Sequence, residues 1–381
     1  MQAAARGAHV SSWEAVLAKD PRFYRDLMET QTRSESTLRN CSFAIAGVSV
    51  EVGSKRAADV VLIPSLLPFQ AEVGPAPDIT IQIEWMPSLH ERSEPWIFDS
   101  GAVWRMYDGD EGFIFDFRSS ILGKFPYKRL LVDRSFHKAV LQMNEAYFAD
   151  GTYNPCPLEY PLDELLIMHR LTQEKAIELH GSGIVRPNGD GNLFMGHSGA
   201  GKSTTTRLWT SREEVEVLSD DRIIVRPDEE KRADAVGAPS TSLGISARGS
   251  DAAQAPQLRL RDCSASRSNH FAQDDKSEVA RGGMRMYGTP WHGEAMFASP
   301  GSAPLTRIFV LEHGRGNLLT RLTKSQAVAE LFARSFVPFH RHEYVESALE
   351  FLQEVAEAVP CYRYSFEPDQ GAVEKILEFR D

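Results

Sequence analysis

The chain has 381 residues, 42% hydrophobic and 25% charged, with a formal net charge of −11 and four cysteines. That composition predicts a soluble globular protein with enough chain for about two domains, and the acidic balance excludes nucleic acid and an anionic membrane surface as bulk partners, since both need a basic face. Cys41, Cys156, Cys263 and Cys361 form no C-x-x-C, which argues against a zinc site and suits reduced thiols in a cytoplasmic protein; the N-terminal residues lack the apolar core of a signal peptide, and no apolar run of roughly 18 residues predicts a transmembrane helix.

In chain order, Ser11 can cap a helix that starts at Ser12–Leu17, and a second helical piece runs near Arg22–Gln31. Alternating or β-rich runs follow at Cys41–Val52, Asp59–Ile63, Ile79–Trp85, Gly112–Phe117 and Arg129–Val132, punctuated by Pro and Gly. They predict a smaller, mainly antiparallel α+β domain over residues 1–155. Phe113, Phe115 and Phe117 alternate as one face of a strand should, and together with Trp96 and Trp104 they read as sheet core. His137–Ala149 reads as a connecting segment, part of it helical. This half groups no catalytic residue types.

Residues 156–381 read as a second domain. Pro161 followed by Asp163 and Glu164 predicts a helix start, with Pro in the first turn and acids near the positive end of the helix dipole. Strands are expected at His180–Val185, Leu193–Met195, Val215–Leu218 and Arg222–Arg226, with a helix over Lys202–Trp209. From about 227 to 280 the composition shifts to Ala, Ser, Arg, Asp and Gln with little periodicity, which predicts a flexible insertion. Met286–Glu294 is dense in Gly, Pro, Thr and Trp and reads as a binding loop rather than a filler turn. Leu305–Glu312 and Cys361–Phe366 read as strands, and Lys324–Phe336, Tyr344–Ala358 and Ala372–Phe379 as helices.

Chemistry concentrates between Glu178 and Asp221. Gly196, Gly201, Lys202 and Ser203 fit G-x-x-x-x-G-K-[ST], the P-loop pattern, between a short apolar run and a helix. Glycines let the backbone fold tightly and turn its N–H groups toward phosphate oxygens; Lys202 supplies a point charge, and the Ser203 hydroxyl can take a place on Mg²⁺. The candidate nucleotide-binding residues are therefore Gly196, His197, Ser198, Gly199, Ala200, Gly201, Lys202, Ser203 and Thr204. Val215–Ser219 ends in Asp220-Asp221, a carboxylate pair that suits phosphoryl transfer: one acid can hold Mg²⁺, and the other can take a proton from an attacking hydroxyl. The plain alternatives are a glycine loop that holds nothing and an Asp-Asp that only opens a turn.

His180-Gly181 ahead of the loop, Gly196 to Ser203 as G-H-S-G-A-G-K-S, and Leu218-Ser219-Asp220-Asp221 behind it resemble the HPr kinase/phosphorylase family and its PEP-carboxykinase-like relatives. The resemblance spans about Pro161 to Arg226, weakens from Met286 onward and does not reach the first 150 residues. It implies a PEP-carboxykinase-like P-loop kinase core, hence an α/β class (α+β overall) with the antiparallel α+β domain in front. By the same resemblance Asp221 is the base, Asp220 the metal-side acid, and His180 a catalytic-site histidine beside Lys202. The family's acidic metal ligand near a Gly is missing at Arg285-Met286-Tyr287-Gly288, and Glu294 is the candidate to replace it in this chain. The P-G-R-N-like segment of the family is absent too. The additional N-terminal domain is similar to HPr-kinase-related kinases associated with peptide or protein modification systems.

The expectation is a cytoplasmic serine kinase that uses ATP and Mg²⁺ and acts on a protein or peptide acceptor, with catalytic Asp221, His180 and Lys202 and metal-side Ser203, Asp220 and Glu294. A P-loop ATPase that drives a conformational change and a nucleotide-sensing module without turnover stay as alternatives. The acceptor, the reverse reaction and homo-oligomer formation are left open.

Overall fold

A computed structural model describes residues 40–56, 60–101, 103–149, 151, 156–228 and 283–380. The helices expected over 11–31 lie outside the described residues, as does the insertion expected at 227–280 apart from Pro227 and Asp228. The chain is a mixed α/β protein with two large sheets and few helices. Among the described residues, no helix is long and apolar enough to cross a membrane.

The first sheet holds β1 (Asn40–Ile45), β2 (Val48–Ser54), β3 (Ile79–Met86), β4 (Phe98–Asp99), β5 (Trp104–Asp108), β6 (Gly112–Phe117), β7 (Lys128–Asp133) and β8 (Lys138–Asn144), in the order β1-β2-β3-β8-β7-β6-β5-β4. β3 runs parallel to β2 and β8; the remaining neighbours are antiparallel. Alternation explains the half-buried strands: in β3, Ile79, Ile81 and Ile83 are buried while Thr80, Gln82 and Glu84 are exposed. β6 departs from it, with Ile114 and Asp116 buried as well as the three phenylalanines. Asp116 is tolerated there because Arg129 of β7 meets it at 2.5 Å.

The structure corrects several expectations in this half. Residues 60–63 form no strand. His137–Ala149 is mostly β8, an interior strand whose Ala139, Leu141 and Met143 face the core, followed by one 3₁₀ turn at Glu145–Tyr147. Trp96 is 51% exposed rather than buried, with the Arg105 guanidinium 4.5 Å from its ring centroid.

The second sheet holds β9 (Ile177–Val185), β10 (Gly191–Met195), β11 (Glu216–Ser219), β12 (Arg222–Pro227), β13 (Met284–Tyr287), β14 (Ser302–His313), β15 (Leu318–Arg321), β16 (Ser335–Phe336) and β17 (Cys361–Phe366). Its order is β10-β9-β12-β13-β14-β17-β15, with β11 and β16 added to β9. The long β14 also pairs with β10, so β9, β12, β13, β14 and β10 close a ring. The helices are α1 (Leu162–Leu171), α2 (Lys202–Arg212), α3 (Lys324–Phe332), α4 (His342–Ala358) and α5 (Gln370–Glu378). The helix expected over Lys324–Phe336 is shorter: it ends at Phe332, and Ser335–Phe336 returns as a strand on β9.

Period-two side chains divide the second sheet between two cores. Leu193, Met195, Ile308 and Val310 pack with Leu331 of α3 and Leu352 and Val355 of α4. The intervening Phe194, Phe309 and Leu311 pack with Trp209 of α2 and Val373 and Ile376 of α5. β12 joins the two sheets: Ile223 and Val225 face the α3–α4 core, while Ile224 faces the core of the first sheet. α1 buries Leu162, Leu165, Leu166 and Ile167 in that first core, so its acidic first turn lies between the two sheets.

Candidate functional site

Strand β10 delivers the chain into the glycine loop, and α2 takes it out again. Within the loop His197, Ser198 and Gly199 are exposed while Gly196 and Ala200 are buried, so its tip stands free over a packed base. Gly199 has φ +81° and Gly201, the N-cap of α2, has φ +101°, a region that favours glycine. The Ala200 N–H donates to the His197 carbonyl at 3.0 Å, and His313 Nε2 donates to the Gly199 carbonyl at 2.7 Å. Ser203 and Thr204 are half-buried in the first turn of α2.

Lys202 is buried, 7% exposed, with Nζ donating to the Gly196 carbonyl at 3.2 Å. Burial lowers its ammonium below the ordinary lysine value; Asp221 and Asp220 oppose that shift, and Arg222 and Arg334 add to it. The ammonium is thus held by a loop carbonyl that a phosphate oxygen could replace.

β11 ends at Ser219, and the turn Asp220-Asp221 leads into β12. The two acids do different work. Asp220 is 1% exposed and accepts three backbone N–H groups: Gly293 at 2.9 Å and Phe297 at 3.3 Å on Oδ1, and Ala295 at 2.8 Å on Oδ2. Asp220 thus pins the loop after Trp291 to the end of β11. The same loop is tied down by Ser219 Oγ, which donates to the Trp291 carbonyl at 3.2 Å, and by Thr289 Oγ1, which donates to the Arg222 carbonyl at 2.8 Å. Trp291 Nε1 donates to Asp163 Oδ2 of α1 at 2.8 Å. Glu294 lies on this loop, exposed, between two of the residues that donate to Asp220.

Asp221 is more open, with its side chain 27% exposed. His180 Nε2 lies 3.0 Å from Oδ1, and the Arg222 guanidinium contacts Oδ2. Burial would raise the Asp221 carboxyl; the His180 hydrogen bond, Arg222 and Lys202 outweigh it and hold the group below the ordinary carboxylate value, hence ionised at neutral pH. For His180, burial, joined by Lys202 and Arg222, outweighs the Asp221 hydrogen bond and lowers the imidazole below its ordinary value. A neutral His180 therefore donates Nε2–H to Asp221. Strand pairing sets this geometry: His180 of β9 is the direct cross-strand partner of Arg222 of β12.

Behind Asp221 stands a set of side chains that the sequence did not single out. Arg222 Nε donates to Glu164 Oε1 of α1 at 2.8 Å and lies 3.4 Å from Glu178 Oε1 of β9. The Arg222 guanidinium carbon lies 4.1 Å from the Phe336 ring centroid. Glu178 is 1% exposed; burial, with Glu164 beside it, pushes its carboxyl well above the ordinary value against the pull of Arg222. The available signal was a charged residue, Glu178, on a largely buried strand and two positions from His180.

Among the described residues, no group of three or more His, Cys, Asp and Glu side chains is placed to hold a metal. Of the residues expected at a cation, Ser203 is half-buried and Glu294 exposed. Hydroxyl and carboxylate oxygens of this kind are ligands for a hard cation such as Mg²⁺. No protein-family model matches the chain, and no curated protein matches it.

Proposed function

We propose that the chain is an ATP- and Mg²⁺-dependent kinase that phosphorylates a hydroxyl, a serine on a protein or peptide, from a PEP-carboxykinase-like P-loop core. The observation that carries the proposal is the convergence of Lys202 and the exposed loop tip with an ionised, half-open carboxylate, Asp221, that is oriented by His180 at 3.0 Å. Mg²⁺·ATP supplies the phosphoryl group and a cation that offsets its charge. The loop N–H groups and the positive end of α2 bind the phosphates, and Lys202 exchanges its Gly196 carbonyl for a phosphate oxygen. Asp221 accepts the proton of the acceptor hydroxyl on the lone pairs that His180 and Arg222 leave open. Its lowered basicity is tolerable, because phosphoryl transfer through a loose transition state asks little of the base and much of positioning. The loop pinned by Asp220 walls one side, and Ser203 with Asp221 furnishes the protein oxygens for the cation.

Asp221→Asn tests the proposal. The variant keeps shape and hydrogen bonding but removes the basic oxygen. Mg²⁺·ATP binding is expected to stay within a few-fold, while phosphate incorporation into a serine-containing acceptor falls by about 10²–10⁴-fold. Incorporation and free phosphate release are measured together, with a cell extract as the source of acceptors. Rapid phosphate release that labels no acceptor, unchanged in Asp221→Asn, replaces the kinase by an ATPase.

A further inference from the structure

The three carboxylates around Arg222 are more than charge balance needs. Asp221, Glu164 and Glu178 converge on one guanidinium whose side chain is 15% exposed, and of the three acids only Asp221 reaches appreciably into solvent; the Glu164 and Glu178 side chains are 9% and 0% exposed. A single guanidinium cannot neutralise three acids, and burial pushes the Glu178 carboxyl well above its ordinary value. What remains is a cation held from behind by Glu164, packed from below by the Phe336 ring at 4.1 Å, and presenting its front edge to Asp221 Oδ2. The planar fork of an arginine can serve a carboxylate on each side at once; a lysine cannot.

We propose that Arg222, braced by Glu164, Glu178 and Phe336, is a positioning residue that fixes the Asp221 carboxylate in the orientation needed to accept the acceptor's proton. The proposal rests on the kinase reading above. His180 and Arg222 grip opposite oxygens of Asp221, and both are anchored on β9 and β12 in register. The acid therefore cannot rotate about its Cα–Cβ bond without breaking one contact. The brace also explains why α1, at the junction of the two sheets, puts a buried acid in its first turn: Glu164 carries the position of the first sheet to the site.

The experiment uses the full chain with Mg²⁺·ATP and a serine-containing acceptor. Arg222→Gln is expected to lower kcat by about 10²-fold, the cost of a misplacement of about 1 Å, with KM for ATP within about two-fold. In an Asp221→Asn background Arg222→Gln should lower kcat no further, because there is no base left to position. An independent fall in both backgrounds, or a loss that resides in KM for ATP, overturns the proposal. Glu164→Gln is the second variant in case Arg222→Gln does not fold; it keeps an acceptor for Arg222 Nε and should give the same non-additivity with a smaller loss. A crystal structure of the variant that folds reads the proposal without activity: Asp221 should have turned away from His180, and an unmoved Asp221 overturns it. Wild-type protein that transfers no phosphate refutes the kinase reading instead, and leaves the crystallographic result to judge the brace.

Discussion

Gly201→Ala and Gly199→Ala separate two demands that the same loop makes on its glycines. Both residues have positive φ, +101° and +81°, so an added Cβ costs each about 1–2 kcal/mol of backbone strain. They differ in what the Cβ would meet. At Gly199 nothing lies within 4 Å; at Gly201 a Cβ would sit 2.5 Å from Phe366 Cζ and 3.1 Å from Cε1. Phe366 is 1% exposed and lies between the ring of Tyr364 at 5.8 Å and that of His313 at 6.0 Å, so it has little room to give. Overpacking of this kind adds about 1–3 kcal/mol. The expected losses in unfolding free energy are therefore about 2–5 kcal/mol for Gly201→Ala and about 1–2 kcal/mol for Gly199→Ala. Urea titrations with linear extrapolation measure both. Calorimetry with Mg²⁺·ATP is expected to show the larger loss for Gly201→Ala as well, because displacing the N-cap displaces Lys202 beside it. Equal destabilisation of the two variants, or a milder effect at Gly201, refutes the packing argument.

Other expectations follow from individual groups. Lys202→Ala should fold and lose about 10- to 100-fold in Mg²⁺·ATP affinity, the worth of one charge-assisted hydrogen bond; calorimetry that finds equal affinity removes the nucleotide from this loop. Asp163 is buried, and burial with Glu164 beside it pushes its carboxyl from 3.8 up to about 7 against the Trp291 hydrogen bond. A raised acid contributes stability that is present below about pH 4 and lost as pH rises toward 7, so Asp163→Asn, which can still accept from Trp291, should gain on wild type by about 1.4 kcal/mol per pH unit at most across that window; denaturation series with parallel pH dependence rule this out. His169 has the opposite sign. Burial, aided by His340, lowers its imidazole from 6.5 to about 3, its Nδ1–H donates to the Leu165 carbonyl at 2.6 Å, and its buried Nε2 has no hydrogen-bond partner. Wild-type stability should fall as pH drops below about 6.5, and His169→Phe should flatten that fall; identical acid limbs in the two proteins count against it.

What the sequence made legible was local. The alternation of Ile79, Ile81 and Ile83, the glycine loop with Lys202, and the acids at the start of α1 all reveal themselves within one turn or one strand. His137–Ala149 was misread because a short strand flanked by polar residues has no periodicity longer than itself, and its place beside β3 and β7 is decided by pairing, not by composition. Trp96 was misread because aromatic content predicts burial only where a partner surface exists, and this ring, half exposed, meets the Arg105 guanidinium instead.

The division of labour between Asp220 and Asp221 was illegible for a related reason. A carboxylate's role follows from what donates to it. The donors to Asp220 are the backbone N–H groups of Gly293, Ala295 and Phe297, more than 70 positions later, and a backbone N–H carries no residue-type signature. The donors to Asp221 are side chains, and each has a place in the pairing of β9 with β12: His180 faces Arg222 across the ladder, and Glu178 lies two residues back on the same strand. Once that register is known, a buried Glu, a His and an Arg fall on one side of two adjacent strands with the acid at their corner. The charges in β9 and β12 were therefore readable as a group only after the fold had supplied the register, whereas the glycine loop, built from consecutive residues, needed no fold at all.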